Sequence, residues 1–237
     1  MLTRLRRINI EQILGLGVAM LAVYGVGLTV RATWVVAHGG DTSYEGMFNY
    51  PAWSTIHFVP ALLFVVILPF QLWPGSRRRY PRLHRIAGRM AAVAGVLFSV
   101  SGLVLPFVMP ARPFGERAFM TTFACLFPVL LGCGVVAARR RDFAAHRRWM
   151  LRVTAGALGP LTQRVILPVF LTAGVDSMPR FWDLFVTSAW FAAGVNFVIV
   201  EWWIRRFAPT AVEAYYPLRS PRAASTLAAY AEPKRAN

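Results

Sequence analysis

The stretch "RRRDFAAHRRWMLR", residues 139–152, is a strongly basic part of this chain. It places six arginines and one histidine directly between two long apolar runs, 119–138 and 149–171. A basic run of this kind binds nucleic acid, covers a soluble surface, or holds a membrane segment to one face of a bilayer. The composition of the rest of the chain separates these three alternatives.

The composition is that of a membrane protein. Of the 237 residues, 57% are hydrophobic and 15% are charged, whereas an average soluble domain is roughly 45–50% apolar and about 25% charged. The formal net charge of +16 is typical of nucleic-acid binders when the chain is polar. Here the basic residues form short clusters that separate apolar stretches, so we expect no nucleic-acid partner.

The apolar stretches predict an all-α integral membrane protein with six transmembrane helices. A span needs about 20 apolar residues. The predicted spans lie near 13–36, 51–73, 86–108, 119–138, 149–171 and 181–204. Arginines precede the first stretch, but its apolar run exceeds the roughly 7–15 residues of a signal-peptide core, so we interpret it as a retained helix. The spans form one domain, 1–206, and the polar segment 207–237 is expected to be a flexible tail.

The distribution of basic residues predicts the orientation. If the N-terminus is cytoplasmic, 21 of the 26 Lys and Arg residues lie on the cytoplasmic side of the six spans. The positive-inside rule therefore places both termini in the cytoplasm of a bacterial inner membrane. The same clusters are expected to contact anionic lipid headgroups on that side.

Polar side chains within the spans are the candidate site residues, because ionisable groups are costly in lipid and usually face the bundle interior. They fall into two layers. The outer layer consists of His57, Gln163 and Arg164. The inner layer consists of Gln71, His84, Arg89, His146, Arg152, Asn196 and Glu201.

Two charged residues need partners. Arg164 requires an acid, water, backbone carbonyls or an anionic ligand, or else its side chain extends to the outer headgroups. Glu201 is the only carboxylate of the inner layer, and it is expected to pair with Arg152, Arg147 or Arg89. A proton-relay role for Glu201 is the alternative.

The four histidines form two pairs by position, His38 with His57 on the outer side and His84 with His146 on the inner side. Facing imidazole pairs ligate haem iron, so haem b is the cofactor that this pattern allows. The alternative is that these histidines are interfacial or hydrogen-bonding residues. We find no phosphate loop, nucleophile motif or metal-spaced Cys/His set.

Three segments carry a family resemblance: "RRYPRLHRIAGRM" (78–90), "AHRRWMLRVTAGALGPLTQRVILPVF" (145–170) and "SAWFAAGVNFVIVEWWIRR" (188–206). They resemble the bacterial predicted-membrane-protein family known as domain of unknown function 2306. Met90, Ala91 and Ala92 depart from it, because members often carry an aromatic residue soon after the Gly-Arg pair. The resemblance implies a shared fold but no reaction. It marks as family positions His57, His84, Arg89, His146, Trp149, Met150, Arg152, Arg164, Asn196 and Glu201.

Three classes of function remain open from the sequence. The first is a non-enzymatic membrane protein whose polar layers bind a small molecule or lipid, or support a homo-oligomer or a membrane complex. The second is a haem-binding or quinone-facing electron-transfer protein. The third is a small-solute transporter with His57, Arg164 and Asn196 along its pathway, which predicts helices interrupted by Gly or Pro.

Overall fold

The computed structural model describes residues 51–108 and 113–207, together with positions 13, 15–20, 23, 24, 27, 31 and 34. Much of the predicted first span, His38 and residues 208–237 lie outside the described residues. The described part consists of helices and the turns between them. The helices are α1 (Pro51–Leu72), α2 (Pro74–Arg79), α3 (Pro81–Val108), α4 (Phe114–Arg139), α5 (Phe143–Ala157), α6 (Gly159–Leu171) and α7 (Met178–Phe207).

Four of these helices, α1, α3, α4 and α7, are long and apolar enough to cross a membrane. Three of them, α3, α4 and α7, extend beyond the spans predicted from hydropathy. Helix α3, for example, begins at Pro81 rather than near residue 86. Hydropathy delimits only the stretch that crosses hydrocarbon, whereas a helix continues into the polar interface wherever its backbone bonds are made.

The region predicted as one span over 149–171 is divided into α5 and α6 at Leu158. Pro160 has no backbone N–H and cannot continue the bonding pattern of an unbroken helix. Even so, the Leu158 amide donates to Thr154 at 3.0 Å, and the Thr162 amide donates to Leu158 at 3.0 Å. The chain therefore passes the Gly-Pro step with helical backbone hydrogen bonds on both sides of Leu158.

The arginine run at 139–152 contains a turn between two helices. Helix α4 ends at Arg139, and Arg141 takes a positive φ of 61°, which reverses the chain. Asp142 then caps α5, since its Oδ1 accepts a hydrogen bond from the Ala145 amide at 2.8 Å. The charges therefore lie at a tight connection between two antiparallel helices.

The bundle is built from antiparallel neighbours. Helix α1 packs on α3, α3 on α4, α4 on α5, and α6 on α7, while α7 also contacts α5 and α4. The rings of Phe64, Phe98 and Phe127 meet edge-on or tilted at the centre, with centroids 4.8–5.6 Å apart. Val18 of the N-terminal segment is fully buried in the same core, so that segment belongs to the bundle.

The antiparallel packing gathers the clustered arginines at one end of the bundle. Here lie the last turns of α1, α4 and α7, the first turns of α3 and α5, and the short helix α2, which the sequence analysis did not predict. We call this the basic end. Its cations are Arg77, Arg78, Arg79, Arg82, Arg85, Arg89, Arg139, Arg140, Arg141, Arg147, Arg148, Arg152, Arg205 and Arg206.

Candidate functional site

An ion pair between Arg152 and Glu201 joins α5 to α7 near the basic end. Arg152 Nε and Nη2 donate to Glu201 Oε2 at 3.0 and 2.9 Å, and Nη2 also lies 3.1 Å from Oε1. The guanidinium packs on the Trp149 ring, 4.8 Å from its centroid. Arg205 adds a longer contact to Oε1 at 3.4 Å. Of the three partners expected for Glu201, the structure has Arg152.

His84 is held by the short helix α2. The Ser76 hydroxyl lies 3.1 Å from His84 Nδ1 and 2.8 Å from the Trp73 carbonyl oxygen. A hydroxyl has one hydrogen, and the carbonyl can only accept, so Ser76 donates to Trp73. His84 Nδ1–H must then donate to the Ser76 oxygen. The other ring nitrogen, Nε2, carries a lone pair that no described residue engages.

His146 is held in the same tautomer by α4. Its Nδ1 lies 2.9 Å from the Gly134 carbonyl oxygen, which can only accept. Nδ1 therefore carries a proton, and in the neutral ring Nε2 carries the lone pair. His84 and His146 lie close enough to interact electrostatically, and Arg77 and Arg85 act on His84 in the same way. The inner histidine pair is thus two imidazoles with accepting Nε2 atoms beside a cluster of cations.

Among the described residues, no group of three or more His, Cys, Asp or Glu side chains forms a metal site. The two imidazoles therefore cannot complete a tetrahedral protein site of the structural zinc kind by themselves. A metal held by these two imidazoles alone would need most of its ligands from another source.

His57 lies towards the opposite end of the bundle and has a similar arrangement. Its Nδ1 is 3.0 Å from the Ser101 hydroxyl, which is also 2.9 Å from the Phe98 carbonyl oxygen. The Phe58 and Phe98 rings contact the imidazole edge-on. His38, its predicted partner, lies outside the described residues, so the outer histidine pair stays a prediction.

Arg164 is exposed on α6, whereas its neighbour Gln163 is 5% exposed. Gln163 Nε2 donates to the Phe185 carbonyl oxygen at 3.0 Å, and its Oε1 accepts from Arg164 Nη1 at 2.6 Å. Arg164 Nε also reaches the Tyr24 hydroxyl at 3.4 Å. No hydrogen bond in the described part joins this pair to His57, so the outer layer is not one connected cluster.

Asn196 lies in the middle of the bundle and not beside Glu201. Its Nδ2 donates to the Ala155 carbonyl oxygen at 3.1 Å, and its Oδ1 accepts from the Thr162 hydroxyl at 3.0 Å. These bonds tie α7 to both α5 and α6. Asn196 lies five residues before Glu201, which is about 7.5 Å along the helix, so these two residues of the predicted inner layer lie at different depths.

Sequence reasoning missed the groups that orient the site residues, which are Ser76, Ser101, Gly134 and Thr162. From the sequence alone, a serine in an apolar helix is explained equally well by close packing of helices and by a hydrogen bond to another side chain. Arg89, a predicted site residue, is exposed, and in the described part Glu201 pairs with Arg152 and Arg205 instead. Only the assembled helices show which polar residue meets which.

The comparison with known proteins identifies a family. No curated protein and no solved structure matches the chain. The sequence model of the family described as "Predicted membrane protein (DUF2306)" matches residues 54–204, which is more than half of the chain. The matched range begins in α1 and ends in α7, and it includes His84, His146 and the Arg152–Glu201 pair. The chain therefore belongs to this family of predicted membrane proteins.

Proposed function

We propose that the chain is a six-span protein of the bacterial inner membrane with both termini in the cytoplasm. Helices α1, α3, α4 and α7 supply four spans. Helices α5 and α6 together cover 143–171, which is about 43 Å at about 1.5 Å per residue and exceeds the roughly 30 Å of hydrocarbon. The described positions between 13 and 34 are all helical, which supports a first span.

The basic end is the cytoplasmic end in this proposal. Moving arginines across the bilayer is unfavourable, so clustered cations remain on the side of synthesis. The same surface attracts anionic headgroups, at about 1 kcal/mol for each basic residue near the membrane. Residues 207–237 then form a cytoplasmic tail.

The function that the geometry favours is binding of haem b at the basic end, where His84 and His146 are the residues that would hold the iron. The observation that carries this proposal is the fixed tautomer of both rings. Each Nδ1–H is committed to an acceptor within the protein, Ser76 or the Gly134 carbonyl, and each Nε2 offers a lone pair. Histidines that ligate metals are held in this way, because the second hydrogen bond sets the tautomer and the ring orientation.

Haem also fits the other residues at this end. Two imidazoles leave four iron ligands to be supplied, and a porphyrin supplies four. Haem has two propionates, and Arg77 and Arg85 act electrostatically at His84, where carboxylates would be favoured. Bound haem supplies a one-electron redox couple, so the proposed class of function is electron transfer within the membrane.

The chain's own residues would hold the ligand and its surroundings in place. Ser76 and the Gly134 carbonyl keep the two ring orientations. The Arg152–Glu201 pair fixes α5, which carries His146, against α7. Near the break at Leu158, the Ala155 carbonyl oxygen accepts a hydrogen bond from Asn196 Nδ2 and is therefore already engaged, so we do not extend the proposal to transport.

A reduced-minus-oxidised absorption spectrum of the purified, haem-replete protein tests the proposal. We expect the Soret and α bands of a six-coordinate b-type haem. His84→Ala and His146→Ala should each reduce the bands to background, because one imidazole cannot hold the iron in this coordination. His57→Ala is the matched control and should retain the bands, since His57 lies towards the opposite end.

Absence of any Soret band in the wild-type protein would refute the haem proposal. Retention of the full spectrum in both His84→Ala and His146→Ala would refute the assignment to the basic end. Thermal unfolding of each variant in detergent distinguishes loss of the ligand from loss of the fold. Ser76→Ala provides a milder test, with weakened haem retention expected from loss of the hydrogen bond to His84.

A further inference from the structure

An open apolar groove runs along the surface between the N-terminal segment and α6. Its volume is about 560 Å³. The residues that line it are Leu16, Ala19, Met20, Val23, Tyr24 and Leu161. Leu16, Met20 and Val23 are each more than half exposed. In a membrane this groove faces acyl chains and not water.

The guanidinium of Arg164 lies at one end of the groove. Tyr24 lines the groove and receives the hydrogen bond from Arg164 Nε. Arg164 also contacts Gln163 Oε1 and lies 5.9 Å from the centroid of the Phe185 ring, so its described partners are all uncharged. A guanidinium cannot lose its proton, and placing it in lipid without a counter-charge is costly. Among the described residues, the positive charge at the end of the groove therefore has no acidic partner.

We infer that this groove binds one anionic phospholipid of the membrane, with its phosphate at Arg164 and one acyl chain along the groove. The inference is independent of the haem proposal, because it uses different residues in another part of the bundle. A guanidinium is well suited to phosphate, which it binds through two parallel N–H donors. An acyl chain is the apolar body that such a groove accommodates.

The direction of the groove agrees with the direction of a lipid chain. Gly15 packs by Leu72 at the basic end and Gly17 by Leu158, so the groove runs from Tyr24 towards the basic end. Leu16 and Tyr24 are eight residues apart, about 12 Å along a helix. A lipid of the leaflet opposite the basic end would thus point its chain towards the membrane midplane.

The depth of Arg164 explains why a lipid and not a soluble anion is the occupant. Arg164 lies seven residues from Leu171, the end of α6, which is about 10 Å below that end. The groove is open along its side, so a two-chain lipid can enter laterally from the bilayer. Its headgroup then needs to descend only part of that distance, because the arginine side chain extends towards it.

Native mass spectrometry of the purified protein with added phosphatidylglycerol or phosphatidylcholine tests the inference. We expect the wild-type protein to retain phosphatidylglycerol in preference to phosphatidylcholine. Arg164→Gln should weaken phosphatidylglycerol binding about tenfold, because it removes the charge-assisted contact. Arg164→Lys should restore part of the binding. Met20→Trp should also weaken it, because the larger ring fills the groove.

Arg180→Gln is the matched control, because Arg180 is an exposed arginine near the start of α7, and it should bind as the wild type does. Equal phosphatidylglycerol retention by Arg164→Gln and the wild type would overturn the inference. So would equal retention of the two lipids by the wild type, or no effect of Met20→Trp. Complete displacement of phosphatidylglycerol by oleate would identify a fatty-acid site and overturn the choice of a phospholipid.

Discussion

Replacing Glu201 with alanine is expected to lower the free energy of unfolding by about 2–3 kcal/mol, because it leaves the Arg152 guanidinium without its carboxylate. Removing one partner of a fully buried ion pair lowers the free energy of unfolding by about 3–5 kcal/mol. The side chains of Arg152 and Glu201 are 22% and 35% exposed, so we reduce that figure for screening. Denaturant unfolding in detergent micelles, followed by circular dichroism, measures the change.

Arg205→Ala is the control for this experiment. Arg205 also contacts Glu201, but its side chain is 79% exposed and the contact is 3.4 Å long. We expect a loss of no more than about 0.5 kcal/mol, as is usual for an exposed pair at this helical spacing. Combining Arg152→Glu with Glu201→Arg should recover part of the stability. Equal losses from Glu201→Ala and Arg205→Ala would contradict the assignment of Arg152 as the main partner.

Replacing Gly95 with alanine is expected to destabilise the bundle by about 1–3 kcal/mol, the usual cost of overpacking a core. A Cβ at this position of α3 would lie 2.8 Å from Leu131 Cδ2 and 3.3 Å from the Phe64 ring. Both neighbours are buried, so they cannot move aside freely. The close approach of α1, α3 and α4 depends on the missing side chain, and the same unfolding measurement detects its loss.

Gly132→Ala provides the matched comparison on α4. A Cβ at Gly132 meets no described atom within 4 Å, so alanine there should be neutral or stabilising by up to about 1 kcal/mol through helix propensity. The two substitutions are chemically identical and differ only in their surroundings. Similar effects of the two substitutions on the free energy of unfolding would show that close packing around Gly95 does not determine the stability of the bundle.

Hydropathy and charge predict most of the architecture, because the exclusion of charge from lipid acts on each segment separately. The five predicted spans from residue 51 onward each coincide with helix, and the arginine clusters collect at one end. Helix α2 was not predicted, since six residues rich in arginine give no apolar period. The division at Leu158 was missed because apolar composition continues through the Gly-Pro step.

The site was less predictable than the fold, because hydrogen bonds between helices depend on rotation about each helix axis. The sequence identified Glu201 but left three arginines as partners, and helix packing selects Arg152. It indicated His84 and His146 without showing that Ser76 and the Gly134 carbonyl hold them. It grouped Gln163 and Arg164 with His57 in an outer layer without showing that Arg164 contacts Tyr24 and Gln163.

Site-directed cysteine labelling in intact cells tests whether the basic end faces the cytoplasm, as we propose. Cys125 and Cys133 are first replaced by alanine, and single cysteines are introduced by Arg140→Cys at the basic end and Val175→Cys between α6 and α7. A membrane-impermeant maleimide should label Val175→Cys in intact cells and Arg140→Cys only after the membrane is opened. Labelling of Arg140→Cys in intact cells, with Val175→Cys protected, would contradict the proposed orientation.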